Sequence, residues 1–347
     1  MSGKPLNVAI AGATGAVGRE VLKTLLARPS SRSLGRVRLL ASPRSAGLVI
    51  EEAGRRFTVE ALTDKEDFKG MDVVFFTAGS KVAEIYAPRA GAAGALVIDN
   101  SSFFRMMADV PLVVPEVNGA TLELACKPGG RRIVANPNCT TAQMVMCLKP
   151  LHDKFRITRV VLASYQAVSG KGQQGIDEFQ RQLEDVYAGR KPEAKAFPHP
   201  IIFNCLPHID VFQADGFTGE EHKVMAETRK ILGDESIRVV ATCVRVPVLN
   251  CHSESVNIET AQPVTVEQAR SALSAMPGVK VVDDPSANMY PLATHVSGAD
   301  DVSVGRIRKD PSVENGLALW IVGDNLRKGA ALNAVQIMEE ARARGYI

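Results

Sequence analysis

The sequence predicts an α/β protein of two parts. A doubly wound parallel sheet occupies residues 1–135, and residues 136–329 form an α+β domain on a mostly antiparallel sheet. Three observations lead there. Short apolar strand-like runs alternate with helical stretches through the first third of the chain, as parallel strands joined by crossover helices do. A glycine-rich turn separates the first strand from the first helix. Beyond residue 139 the strand-like runs lengthen and alternate in polarity, the pattern of a sheet with one covered face.

Residues 6–11 read as a buried parallel strand that enters Gly12-Ala13-Thr14-Gly15-Ala16-Val17-Gly18, followed by an amphipathic helix over 19–27. Glycines in such a turn permit a tight reversal, close backbone approach to a pyrophosphate, and close packing of helix on strand. Gly12, Thr14, Gly15, Ala16, Val17 and Gly18 are therefore the candidate phosphate-cradling residues of a Rossmann-type dinucleotide site. The second strand, 37–40, ends in Ala41-Ser42-Pro43-Arg44-Ser45. A site for NAD ordinarily has an acidic residue there to hold the ribose 2′-hydroxyl. Arg44 flanked by Ser42 and Ser45 suits a 2′-phosphate, so the expected cofactor is NADP. The alternative is a solvated basic loop, since Arg32, Arg36 and Arg38 are close in sequence.

A strand at 72–77, a helix at 82–90 and strands at 96–100 and 132–135 complete the first domain. A helix over 140–151 opens the second, followed by strands at 157–166, 238–246, 253–260, 302–309 and 317–323 and helices at 176–187, 220–232 and 266–275. The broad apolar face of that sheet suits a dimer contact. A final helix, 330–344, follows the turn at Lys328-Gly329 and is expected to pack back on the nucleotide domain.

A chain of 347 residues, 46% hydrophobic and 23% charged, suits a globular protein with a large core. A net charge of +3 gives no footing for nucleic acid or an anionic membrane as partner. No run approaches a membrane span and no leader pattern precedes the first strand, so the expected location is the cytoplasm. The six cysteines, Cys126, Cys139, Cys147, Cys205, Cys243 and Cys251, form no C-x-x-C pair and no metal-ligand spacing with histidine. That fits a reducing compartment and no bound metal.

Cys139 closes Asn136-Pro137-Asn138-Cys139 at the seam between the strand at 132–135 and the helix at 140–151. A thiol in the first turn of a helix is expected to meet unpaired N–H groups and the positive end of the macrodipole, both of which favour thiolate. In Arg245-Val246-Pro247-Val248-Leu249-Asn250-Cys251-His252-Ser253, a strand carrying Arg245 ends at a proline, and a short turn then presents His252. An imidazole titrating near neutrality exchanges protons with a thiol or an oxyanion, and an arginine fork fits a carboxylate. Taken singly, a free cysteine is commonly a small core residue and a turn histidine a structural one.

With Tyr165-Gln166-Ala167-Val168-Ser169-Gly170 and Glu220-Glu221-His222-Lys223 added to the glycine turn, the cysteine tetrapeptide and the Arg245 and His252 segments, the chain resembles the aspartate-semialdehyde dehydrogenase family over nearly its whole length. The resemblance implies Cys139 as nucleophile, His252 as acid/base and Gln166 as an orienting residue. It implies Arg245 on the substrate α-carboxylate, Glu220 on the ammonium, and Arg105 and Lys223 on the phosphate. Ser169, Gly170 and Asn325 are expected beside the coenzyme, and Glu220 and Lys223, three apart on a helix, are also suited to pair with each other. The implied reaction is NADPH-dependent reduction of L-aspartyl-4-phosphate to aspartate 4-semialdehyde through a cysteine thioester, on the route to lysine, threonine and methionine, by a homodimer or homotetramer. Cys251 departs from the small residue often found before the family's histidine, and a disulfide with Cys139 on oxidation is one expectation. Two other readings stay open at this stage: a reductase of N-acetylglutamyl phosphate, and a non-enzymatic nucleotide sensor.

Overall fold

The computed structural model describes residues 4–347, which divide into two compact units. The first runs to Pro137 and resumes at Ala330; the second is Asn138–Gly329.

The first unit opens with β1 (Leu6–Ala11), α1 (Ala16–Ala27), β2 (Leu34–Ala41), β3 (Val49–Glu52), β4 (Arg55–Ala61), β5 (Val73–Phe76) and α2 (Ser80–Ala92). It continues through β6 (Leu96–Asp99), α3 (Pro115–Asn118), α4 (Glu123–Cys126) and β7 (Ile133–Ala135). The strand order is β3-β4-β2-β1-β5-β6-β7, and every neighbouring pair is parallel except the β3–β4 hairpin. The chain moves outward from β1 first on one side and then on the other, so the carboxyl end of β1 is the switch point at which such sheets bind ligands. Val8, Ile10, Val73, Phe75, Leu96 and Ile98 fill the core against Val21, Leu22 and Leu25 of α1. Helix α1 starts at Ala16, three residues earlier than its periodicity indicates, because Gly15 serves as the N-cap inside the glycine turn. The hairpin at 49–61 has no counterpart in the sequence reading: its strands mix buried Ile50, Phe57 and Val59 with the charged Glu51, Glu52, Arg55 and Arg56, the character of an edge.

The second unit contains α5 (Cys139–Phe155), β8 (Ile157–Gln166), α6 (Gln173–Tyr187), α7 (Gly219–Leu232), β9 (Arg238–Arg245) and β10 (His252–Thr260). After these come α8 (Val266–Ser274), β11 (Val279–Val281), α9 (Ala293–Val296), β12 (Val302–Lys309) and β13 (Gly316–Gly323). Its sheet has the order β11-β12-β13-β10-β8-β9, with three antiparallel pairings and parallel pairs at both ends, and is thus mixed. Helix α5 packs on β8, β10 and β13 and against α7 and α8, which is why every residue from Thr140 to Leu148 is buried. On the opposite face Tyr165 and Val240 are exposed. The chain then returns to the first unit, where α10 (Leu332–Ala343) places Val335, Ile337 and Met338 in the core beside α1. Among the described residues no helix is long and apolar enough to cross a membrane.

The glycine turn shows why side chains are excluded from it. Gly12 has φ +93°, and a Cβ there would lie 2.8 Å from the Ala78 amide nitrogen. A Cβ on Gly18 would collide with the Gly12 carbonyl oxygen. Gly18→Ala should therefore force helix and turn apart and lower stability by about 1–3 kcal/mol, which a urea titration of the two proteins measures.

Candidate active site

Cys139 is the first residue of α5, and Asn138 caps that helix. The Asn138 Oδ1 accepts from the amides of Thr140 at 2.9 Å and Thr141 at 3.3 Å, and its carbonyl accepts from Ala142. This narrows the expectation of unpaired amides around the thiol: the cap residue has claimed the donors of Thr140 and Thr141. Two carboxylates of α7 hold the cap in turn. Asn138 Nδ2 donates to Glu220 Oε1 at 2.8 Å, and its main-chain N–H donates to Glu227 Oε2 at 2.6 Å. Helix α7 begins with a capping box in which Glu221 reaches back to the Thr218 amide. Glu221 also takes the Cys243 amide at 2.9 Å, so Glu220, Lys223 and Glu227, at i, i+3 and i+7, share the face on the other side.

The sheet supplies the facing groups. Gln166 and Arg245 are register partners at the ends of β8 and β9, and His252 opens β10 next to them, so three adjacent strands deliver three side chains to one edge. His252 Nε2 lies 3.2 Å from Cys139 Sγ. The Ala167 main-chain N–H donates to His252 Nδ1 at 3.0 Å. Because Nδ1 is an acceptor, the neutral ring carries its proton on Nε2 and presents it to sulfur. Burial, reinforced by the Arg245 charge, pushes the imidazole well below its usual value of 6.5. The expectation of a ring titrating near neutrality is corrected accordingly: a fully enclosed imidazole beside a guanidinium stays neutral.

Arg245 donates through Nη1 to the Ala167 carbonyl at 2.7 Å, which leaves Nε and Nη2 of its fork for another acceptor. Burial disfavours its charge, while Glu220 and Cys139 favour it. Gln166 Nε2 donates to Thr140 Oγ1 at 2.8 Å and lies 3.4 Å from Glu220 Oε1. Lys223 Nζ is 2.5 Å from Asp210 and 3.5 Å from Glu220, so the expected helix pair forms, and a second carboxylate joins it. Two glycines are fixed by proximity. A Cβ at Gly170 would stand 2.6 Å from Arg245 Nη1 and 3.0 Å from His252 Cε1, and one at Gly329 would stand 2.9 Å from Cys139 Cβ. Ser169 and Asn325 also meet: Asn325 Nδ2 donates to Ser169 Oγ at 3.0 Å, and Asn325 Oδ1 accepts the Cys251 amide at 3.0 Å.

Cys251 points into an apolar cluster with Val296 and Val322, and burial pushes its thiol up to about 12. Both it and Cys139 are free thiols. Arg105 belongs to the first unit, where it donates to the carbonyls of Asn136 and Asn100, each at 2.9 Å. In that unit Thr14 and Gly15 are exposed, Ala16 and Val17 half-buried, and no side chain caps α1. Ser42, Arg44 and Ser45 form the short turn after β2, with Arg44 exposed. The glycine turn fits a dinucleotide, since Thr14 and Gly15 are exposed and a Cβ at Gly15 would meet only the Gly12 carbonyl oxygen at 3.5 Å, which leaves the backbone there open to a phosphate. Among the described residues no group of three or more histidine, cysteine or acidic side chains could hold a metal ion. Sequence reasoning missed Glu227, Asp210, Gly329 and the Ala167 amide. Only the first had a signal, its helical spacing from Glu220.

Comparison with known proteins identifies the family. Residues 7–125 match the family model described as semialdehyde dehydrogenase, NAD binding domain, and residues 148–328 match semialdehyde dehydrogenase, dimerisation domain. The aspartate-semialdehyde dehydrogenase of Aquifex aeolicus is 50% identical over 98% of this chain and 99% of its own length. The chain belongs to the aspartate-semialdehyde dehydrogenase family. Among solved structures of the family, Vibrio cholerae aspartate semialdehyde dehydrogenase II complexed with ASA superposes with a TM-score of 0.94 at 42% identity, covering 99% of this chain and 100% of that one. The Candida albicans enzyme with NADP gives 0.76 at 26% identity, covering 99% and 100%.

The neutral imidazole has a consequence for stability. Its folded pKa lies below the unfolded value, so between the two the unfolded chain binds the extra proton and acid destabilises the fold. Stability should fall by up to about 1.4 kcal/mol per pH unit below pH 6.5 on account of this group. His252→Gln should lack that component of the slope, and denaturant titrations at pH 5 to 7 compare the two.

Proposed function

We propose that the protein catalyses the reversible, NADPH-dependent conversion of L-aspartyl-4-phosphate to aspartate 4-semialdehyde and phosphate. The observation that carries this reading is the Cys139 sulfur held 3.2 Å from a neutral imidazole whose Nδ1 is locked by a main-chain amide. A thiolate paired with an N–H donor is a nucleophile for an acyl carbon, and its attack on the acyl phosphate expels phosphate and leaves a thioester. When bound, NADPH supplies the hydride that reduces this thioester.

The remaining steps belong to the chain's own side chains. The hemithioacetal oxyanion takes its hydrogen bond from His252 Nε2, the donor that previously faced the thiolate, and collapse to aldehyde returns the charge to sulfur. A neutral imidazole acting as donor stays matched to an anion throughout, with no proton to shed first. Arg245, with half its fork unused by protein, is assigned to the α-carboxylate. Glu220 is assigned to the ammonium, and Lys223 and Arg105 to the phosphate. Gln166 orients the first turn of α5 through Thr140. Gly170 leaves room above His252 and Arg245 for the reacting centre, and Ser169 with Asn325 fixes the loop on which it sits.

The nucleotide-binding role is assigned to residues 1–135 with 330–347, through Gly12, Thr14, Gly15, Ala16, Val17 and Gly18, and the 2′-phosphate to Ser42, Arg44 and Ser45. Residues 136–329 are assigned to catalysis and to a homodimer formed in the cytoplasm.

Two experiments test the reading. With aspartate semialdehyde, NADP and phosphate, the wild-type protein should form NADPH, with arsenate replacing phosphate. Cys139→Ser should lose about 10³-fold or more in kcat while NADP binding, followed by calorimetry, is retained. Arg44→Ala should raise the KM for NADPH by about tenfold or more and leave that for NADH nearly unchanged, as expected for loss of a charge-assisted bond to phosphate.

A further inference from the structure

One buried acid plays no part in the chemistry above. Glu254 lies two residues beyond His252 on β10, on the same inward face, and is fully buried. Neither carboxyl oxygen has a hydrogen-bond partner. Its surroundings are Gln143 and Cys147 from α5 and Cys243 from β9, and no cation is among the groups acting on it. Burial pushes its carboxyl well above the ordinary carboxylate range, and Gln143 is the one side chain that acts against this.

Gln143 has a complementary deficit. Its Nε2 donates to the His252 main-chain carbonyl at 3.1 Å, which fixes the orientation of the amide, and its Oε1 is buried with no partner. The amide cannot swing away, because it fills the space left by Gly323, where a Cβ would stand 2.6 Å from Oε1. Gly323 is itself the register partner of His252. Were Glu254 ionised, its two oxygens and Gln143 Oε1 would be three buried acceptors without a donor; un-ionised, it carries the single donor that Gln143 Oε1 lacks.

We propose that Glu254 is a neutral carboxylic acid whose O–H donates to Gln143 Oε1, and that the pair acts as a positioning device holding the His252 backbone so that its ring meets Cys139. Glu254 touches no reacting atom. Its effect passes through Gln143 to the residue that carries the imidazole. This deepens the reading of the same site, so its test uses readouts that need no aldehyde substrate. If the proposed reaction is wrong, turnover is absent in wild type while these readouts still report on Glu254.

The full-length protein is compared with E254Q and E254M by infrared spectroscopy at pH 8 and by the rate at which iodoacetamide alkylates Cys139, followed on its own peptide by mass spectrometry across pH. Wild type should show the carbonyl band of an un-ionised carboxyl that E254Q lacks. E254M, which leaves Gln143 Oε1 bare, should slow alkylation by about tenfold, and E254Q, which retains one N–H donor, should recover most of that loss. Q143L combined with E254M should be no slower than Q143L alone, because the two residues act in series. Absence of a wild-type-specific carboxyl band overturns the proposal, as does E254M alkylating at the wild-type rate. Should E254M fail to fold by circular dichroism, the infrared comparison with E254Q decides alone.

Discussion

The site depends on a single main-chain hydrogen bond. The Ala167 amide occupies Nδ1 of His252, and that occupation turns the other ring nitrogen into a donor facing the Cys139 sulfur. Burial then keeps the ring from taking a second proton, which Nδ1 could accept only by giving up the amide. With the imidazole neutral, the positive charge that complements a thiolate comes from Arg245, itself buried and tied to the carbonyl of the same Ala167 residue. One peptide segment thus orients both the hydrogen-bond donor and the cation.

The charges around that segment are organised by two helices. Helix α5 brings the nucleophile, but its cap consumes two of the amides, those of Thr140 and Thr141, that a helix start usually offers to an anion. Helix α7 brings two carboxylates that brace the cap from below and a lysine that is shared with Asp210. Glu220, Glu221 and Glu227 of α7 each have an N–H partner, and a buried carboxylate left without one would be costly. Each substrate group assigned to this site is faced by side chains of opposite charge, two of them for the phosphate. Recognition of this kind fixes orientation and rejects analogues that lack a charge.

Much of this was legible in the sequence because the decisive signals are local. The strand, glycine turn and helix at the N-terminus are contiguous, and so are the cysteine tetrapeptide and the Arg245 to His252 stretch. What escaped was either irregular or long-range. The hairpin at 49–61 and the short helices at 115–126 have too little apolar periodicity to stand out. Asp210 reaches Lys223 from a loop with no pattern of its own. The Ala167 amide is main chain, and no side-chain motif reports where a backbone N–H will point. Asn138 is the instructive case: it was visible as part of a motif, yet its role as a cap reverses the inference drawn from an uncapped helix start. Glu254 shares strand parity with His252, yet nothing in the sequence singled it out as buried.

That the imidazole is set by backbone has a bearing on how this site drifts over generations. Every amino acid except proline brings an N–H to position 167, so random replacement there leaves the ring's tautomer untouched, whatever it does to packing. Sites whose histidine is oriented by an aspartate lose that orientation with one codon change. Here only a change to proline removes the donor itself.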